Sequence, residues 1–94
     1  MNFETFTNSL SDKTPPAELN EYLQALWFDG KGNWDKAHHL IQDIEDKTAA
    51  WIHAYLHRKE GDDWNANYWY NLAGKKMPSE ELETEWENIV KALL

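Results

Sequence analysis

The sequence predicts an all-α fold of about five helices, in which successive helices run antiparallel as pairs. Three observations support this prediction. Apolar residues recur with the i, i+3, i+4, i+7 spacing of an amphipathic helix, and glycine or proline interrupts that pattern at intervals typical of short helices. No stretch alternates between apolar and polar residues as a half-buried strand does. The 94 residues are enough for a single domain, residues 1–94, with one modest core.

Composition narrows the classes of function. A formal net charge of -8 with nine Lys and Arg predicts no nucleic-acid partner and no attraction to an anionic membrane, because both need a basic face. The absence of cysteine excludes thiolate catalysis and cysteine-based zinc sites, and it favours a reducing compartment. The first residues lack the pattern of a signal peptide, and no apolar run is long enough to span a bilayer. We therefore expect a cytoplasmic protein.

Residues 1–13 carry the weakest helix signal. Phe3, Phe6 and Leu10 have the spacing of a short amphipathic helix, but the polar residues beside them leave an N-terminal extended arm as an alternative. Thr14–Pro16 then predicts the start of the first long helix, because threonine can cap a helix and proline fits its first position.

The first helix pair is predicted within residues 15–47. Its first helix ends near Gly32, and Asn33 is a plausible cap for its second helix. The apolar stripes are Leu19, Tyr22, Leu23 and Leu26 on the first helix, and Ala37, Leu40, Ile41 and Ile44 on the second.

The second helix pair is predicted over residues 48–76, followed by a fifth helix over 78–94. The third helix is apolar nearly all round before Arg58, which is typical of a central, buried helix. Gly61 and Asp62 supply the turn and the cap of the fourth helix. The acidic run at the start of the fifth helix is interpreted as a solvated face: Glu80, Glu81, Glu83, Glu85 and Glu87.

A shift of 29 residues aligns the two helix pairs with each other. Small residues coincide where antiparallel helices approach closely, and a glycine coincides where a turn needs a positive φ. A unit of this kind cannot bury its apolar face alone, so neighbouring units must stack. The aligned positions are Leu23 with Ile52, Ala25 with Ala54, Gly32 with Gly61, Asn33 with Asp62, and Ala37 with Ala66.

The second unit resembles the tetratricopeptide repeat. The similarity rests on Ala54, the Gly61–Asp62 turn, Ala66, Ala73 and Pro78, and the stretch from Ala66 to Ala73 looks like the A-x-x-W-Y-x-x-A of the Sel-type relatives. It covers residues 48–78 well and residues 19–47 loosely. The resemblance implies two degenerate units stacked as a short α-α superhelix, with residues 78–94 as a capping helix. It also implies a role in protein–protein interaction.

The central helix carries the candidate site. His53 and His57 are four residues apart, so both leave the same helix face. A few polar groups among aromatic rings are typical of ligand sites, so we predict a non-catalytic domain that binds an unknown protein or a small molecule on this face. Structural histidines, hydrogen-bonded between helices, remain an alternative. The candidate binding residues are His38, Trp51, His53, Tyr55, His57, Arg58 and Tyr68.

A divalent metal is a weaker alternative, and no other cofactor is expected. Two imidazoles at i, i+4 can reach one metal ion, with Glu60 as the candidate third ligand beside His53 and His57, and His38 or Asp46 in its place. The alternative function is therefore a small His- or metal-dependent enzyme of unknown reaction. An exposed aromatic patch on so short an array would also favour a homodimer.

Overall fold

The computed structural model describes all 94 residues and contains six α-helices and no strand, which confirms the predicted all-α class. A 3-10 turn, Ser9–Ser11, extends the first helix, so the N-terminal segment is a short helix and the predicted alternative of an extended arm is wrong. None of the helices combines the length and apolar content needed to cross a membrane. The helices are α1 (Phe3–Asn8), α2 (Glu21–Gly30), α3 (Trp34–Ile41), α4 (Lys47–Lys59), α5 (Asp63–Ala73) and α6 (Leu82–Leu93).

Helix α4 is the centre of the domain. The most extensive helix contacts join α4 to α5 and α2 to α3, and α4 also touches α2, α3 and α6. The prediction that this helix is central and buried is confirmed, because seven of its 13 residues are buried, including the polar His53.

The two inter-helix turns that lie 29 residues apart have the same backbone geometry. Gly32 and Gly61 have φ values of 84° and 86°, a region where only glycine is unstrained. Asn33 and Asp62 follow them, and the side chain of each accepts the backbone N–H three residues further on. The alanines that coincide under the same shift are fully buried: Ala25, Ala37, Ala54 and Ala66.

Helix α2 begins later than Thr14–Pro16 predicted. The side chain of Asn20 caps it, accepting the backbone N–H of Leu23 at 2.9 Å. Thr14 and Pro15 each precede a proline, and a residue in that position is disfavoured in the α conformation. The prolines therefore disfavour a helix that begins at Thr14 or Pro15.

Two other helix boundaries differ from the prediction. Helix α3 ends at Ile41, so Ile44 lies in the connection to α4 and packs on the core from there. Asp46 is extended at the N-cap of α4, so α3 cannot continue through it into α4. Helix α6 begins at Leu82 instead of near Pro78, with extended Glu81 at its N-cap position.

Glu85 corrects the interpretation of the acidic run as a solvated face. Glu85 is only 3% exposed, whereas Glu80, Glu81 and Glu83 are exposed. Glu85 lies three residues after Leu82 and four before Ile89, so it shares the buried face of α6. Its carboxylate accepts hydrogen bonds from Arg58 and from the hydroxyl of Tyr70.

Helix α6 contacts both α1 and α2, so the last helix packs against the first. The ring of Trp86 on α6 lies with its centroid 5.9 Å from that of Phe3 and 5.8 Å from that of Phe6. Its indole N–H donates to the carbonyl of Leu26 at 3.0 Å. In the 3-10 turn that follows α1, the hydroxyl of Ser9 accepts the indole N–H of Trp27 at 3.0 Å. Side chains from both ends of the sequence therefore complete one core.

Candidate functional site

Three histidines from two helices converge, and we call them the histidine cluster: His38 on α3, and His53 and His57 on α4. One ring nitrogen of each lies within 4.8 Å of those of the other two. The Nε2 atoms of His38 and His53 are hydrogen-bonded at 2.9 Å. The rings of His53 and His57 lie nearly parallel, with centroids 4.8 Å apart. The packing of α3 on α4 thus adds a third imidazole to the pair at i, i+4.

Two tryptophans fix the orientation of the histidine rings. Trp34 stacks on His38 with centroids 4.9 Å apart, and its indole N–H donates to a backbone carbonyl of α4 at 2.7 Å. Trp69 on α5 stacks on His53 with centroids 3.8 Å apart. Sequence reasoning missed both rings as site residues. The spacing of four between Trp34 and His38 was a usable signal, whereas Trp69 looked only like part of a packing stripe.

Glu60 orients His57 from the solvent side. Its carboxylate lies 2.5 Å from Nδ1 of the imidazole. Because a carboxylate only accepts, Nδ1 carries a proton, and in the neutral ring the lone pair is then on Nε2. Nε2 of His57 forms no hydrogen bond. Every fully buried side-chain nitrogen or oxygen in the structure has a partner, so Nε2 is not fully buried and solvent reaches it. His57 therefore presents an accessible nitrogen lone pair on the side away from Glu60.

The histidine cluster disfavours protonation. Burial lowers the pKa of His53 to about 3, and the neighbouring His38 and His57 would repel a positive charge there. Burial is also the main reason that the pKa of His38 is lowered, although the carboxylates of Glu60 and Asp35 act in the opposite direction. Both imidazoles are consequently neutral at pH 7, and each neutral ring carries one lone pair.

The structure does not bring Tyr55 and Arg58 to the histidine cluster. Both project from other faces of α4 than His53, as expected from their separations of two and five residues. The hydroxyl of Tyr55, a residue only 2% exposed, donates to Asp29 at 2.8 Å. Arg58 donates to the buried carboxylate of Glu85. Both side chains are thus engaged in links between helices.

The remaining predicted residues lie outside the histidine cluster. The ammonium of Lys75 covers the ring of Trp51, 4.0 Å from its centroid. Tyr68 is 51% exposed on α5. Asp46, one of the alternatives for a third metal ligand, caps α4 and accepts the hydroxyl of Tyr22.

A second feature was not predicted: a cavity of about 540 Å³ between the α3–α4 connection and α5, which we call the acidic cavity. Its apolar lining is Ile44, Ala50, Trp69 and Leu72, and its carboxylates are those of Asp43, Glu45 and Asp46. Periodicity gave no signal for this cavity, because the connection that forms one wall is irregular.

The acidic cavity continues into an exposed apolar strip of α5. Leu72 is 49% exposed at the cavity, and Tyr68 and Trp64 follow it at intervals of one helical turn with 51% and 78% exposure. These three residues are the α5 strip. It extends for about 12 Å along the helix, given a rise of about 1.5 Å per residue.

Comparisons with protein-family models, curated proteins and solved structures give no match for this chain.

Proposed function

We propose that this chain is a non-catalytic binding domain that holds a basic, partly apolar segment of a partner protein against the acidic cavity and the α5 strip. The observation that carries the proposal is the continuity of these two features through Leu72. A cavity of about 540 Å³ alone would suit a small molecule, since such pockets range over roughly 300–1,000 Å³. The strip beyond it adds an extended apolar surface that a peptide segment can cover.

Charge complementarity selects the chemistry of the partner. Three carboxylates line the cavity, and Lys47 is the only basic residue among its lining residues. The whole chain carries a net charge of -8. Lysine or arginine side chains flanking an apolar anchor would pair with the carboxylates while the anchor covers Trp69 and Leu72. The same charges oppose a second copy of this chain as the occupant, because two acidic surfaces would repel.

The proposal includes the class of the domain: two tetratricopeptide-like helix pairs closed by α6. Its support is the recurrence of one turn geometry at Gly32 and Gly61, with buried alanines at matching positions of both pairs. The cysteine-free composition favours the cytoplasm as the place where it acts.

The test is selection from a random peptide display library on the tag-free domain, followed by NMR titration with the selected peptides. We expect sequences in which Lys or Arg flank an aromatic or aliphatic residue, with shifts confined to the α5 strip and the cavity. The variant Leu72→Glu should abolish binding, because it places a charge at the junction of cavity and strip. The matched control is Leu94→Glu, since Leu94 is also an exposed leucine, at 39%, but lies at the C-terminal end of α6 and not on α5.

Three outcomes would overturn the proposal. Peptides without basic residues would remove the charge argument, and shifts centred elsewhere would remove the surface. A dimer in sedimentation that Leu72→Glu converts to monomer would assign the α5 strip to a second copy of the chain.

A further inference from the structure

We propose that the histidine cluster is a binding site for a divalent transition metal ion of the Zn²⁺ type, held by one nitrogen each of His38, His53 and His57. This inference goes beyond the proposed function and does not depend on it. It rests on the convergence of the three imidazoles, on the contact between Glu60 and His57, and on the two tryptophans that fix the rings.

The nitrogen positions are close to those that a metal ion requires. Zinc–nitrogen bonds of about 2.0–2.1 Å in a tetrahedral site place the ligand nitrogens roughly 3.3 Å apart. The Nε2 atoms of His38 and His53 are 2.9 Å apart, and the three ligand nitrogens lie within 4.8 Å of one another. Small rotations of the side chains would therefore bring all three nitrogens to coordination distance. The ion would replace the hydrogen bond between His38 and His53.

The contact between Glu60 and His57 is the arrangement found behind metal-bound histidines. A ligating imidazole almost always donates its other N–H to a carboxylate, a carbonyl or a water, which fixes its tautomer and increases its basicity. In this structure the carboxylate of Glu60 lies 2.5 Å from Nδ1 of His57, and solvent reaches Nε2 of the same ring. Nε2 of His57 is therefore available to an ion.

The orientation of the other two ligands is set before any ion binds. Trp34 lies flat on His38 at an interplanar angle of 8°, and Trp69 lies on His53 at 16°. Stacking of this kind restricts rotation of the imidazoles, so less conformational entropy is lost on binding. Three imidazole nitrogens select Zn²⁺, Co²⁺, Ni²⁺ or Cu²⁺ over Mg²⁺ and Ca²⁺, which prefer oxygen ligands.

Nearby carboxylates offset the charge of the ion. A second group of possible ligands consists of His57, Glu60 and Asp62. Each offers one ligand atom, and these three atoms also lie within 4.8 Å of one another. Asp62 is a poorer ligand than the imidazoles, because both of its oxygens accept hydrogen bonds from Asn65 at the start of α5, and Glu60 already holds Nδ1 of His57. We therefore assign Glu60 to the support of His57. Three protein ligands would leave a fourth position for water on the solvent side.

The test uses the tag-free full chain, freed of metal by a chelator and titrated with Zn²⁺ and Co²⁺. We expect one ion per chain by calorimetry and a visible Co²⁺ spectrum of tetrahedral type. The melting temperature should rise by roughly 10–20 °C at a free metal concentration about 100 times the Kd. The variants His38→Gln and His57→Gln should lose the spectrum and the stabilisation, with retention of the fold checked by far-UV circular dichroism.

Two more variants test which side chains hold and support the ion. His39→Gln is the matched control, because His39 is an exposed histidine on the same helix as His38 and should leave metal binding unchanged. Glu60→Gln should weaken binding by about 10–100-fold while retaining the 1:1 stoichiometry, the usual effect of removing such a supporting carboxylate.

The proposal would be overturned by the absence of saturable binding at micromolar protein, which would make the histidine cluster a structural hydrogen-bonded group. Binding that survives in both His38→Gln and His57→Gln, or that is lost in His39→Gln, would place the ion elsewhere. Binding lost in Glu60→Gln but retained in His38→Gln would assign it to His57, Glu60 and Asp62.

Discussion

Arg58 on α4 and Glu85 on α6 form an ion pair with an N–O distance of 2.8 Å, and their side chains are only 15% and 4% exposed. The other oxygen of Glu85 accepts the hydroxyl of Tyr70 on α5 at 2.5 Å. Burial raises the pKa of Tyr70 far above its usual value, so the hydroxyl remains a donor. One carboxylate thus connects three helices.

Replacement of Glu85 by alanine should be among the most destabilising single changes in the chain. It leaves Arg58 and Tyr70 without their common partner in a largely buried position, for which losses of about 3–5 kcal/mol are typical. Urea unfolding followed by circular dichroism measures the loss. The control is Glu87→Ala on the same helix, where the pair with Lys91 is 44% and 54% exposed and should contribute at most about 1 kcal/mol. Equal effects of the two variants would contradict this account.

The hydroxyl of Ser9 should contribute far more to the free energy of unfolding than that of Ser11. Ser9 donates to the carbonyl of Phe6 at 2.6 Å and accepts the indole N–H of Trp27. Its replacement by alanine leaves that buried N–H without a partner, at a cost of about 1–3 kcal/mol. Ser11 bonds only the carbonyl of Asn8 at an exposed position, so Ser11→Ala should change the free energy of unfolding by less than about 0.5 kcal/mol. A comparison of chemical denaturation midpoints distinguishes the two; similar midpoints would mean that α1 is not anchored through Trp27.

Alanine at Gly61 should be destabilising although nothing lies within 4 Å of the added Cβ position. The cost arises from the backbone, since φ is +86° and a left-handed conformation costs an L-residue roughly 1–2 kcal/mol. Gly32→Ala should cost about the same, because the two turns share one geometry. Gly61→Asn serves as the control: asparagine tolerates this region better and should recover part of the loss in thermal melts. A neutral Gly61→Ala would show that the turn relaxes.

The contribution of Asp46 to stability should depend on pH. Bonds from the backbone N–H of Ala49 and from the hydroxyl of Tyr22 hold the pKa of Asp46 below its usual value of 3.8. Because the folded-state pKa is depressed, the charged side chain stabilises the fold above pH 3.8, and the effect is lost as pH falls through the lower folded-state pKa.

The corresponding measurement compares Asp46→Ala with the parent chain across pH. The variant should be less stable by about 0.5–2 kcal/mol at neutral pH, the usual value of an N-cap, and the difference should shrink below about pH 4. Asp43→Ala, at an exposed neighbouring position, should show no such trend. A difference that stays constant down to about pH 2 would assign the role of Asp46 to shape instead of charge.

The sequence predicted the parts of the fold that depend on residues close in the chain. The caps at Asn33 and Asp62, the paired glycine turns and the burial of α4 all follow from patterns within one or two helical turns. The predicted start of α2 was wrong because Pro16 restricts the backbone of Pro15 more strongly than Thr14 favours a helix start as a cap.

The candidate site was less predictable, because it depends on contacts between helices. His53 and His57 were visible as a pair, but the position of His38 relative to them requires the register of α3 on α4. Glu85 was misinterpreted for a related reason: its place on the apolar face of α6 was readable from its spacing to Leu82 and Ile89, but its partner Arg58 lies 27 residues away.

The position of Trp86 has a consequence for how the chain folds as it is made. Phe3 and Phe6 need this ring to complete their packing, and about 80 residues of synthesis separate them from it. At about 5–20 residues per second, the first helix waits roughly 4–16 s for its partner. During that time the aromatic side chains of α1 lack part of their native packing. Folding of this domain is therefore expected to finish only after α6 has left the ribosome.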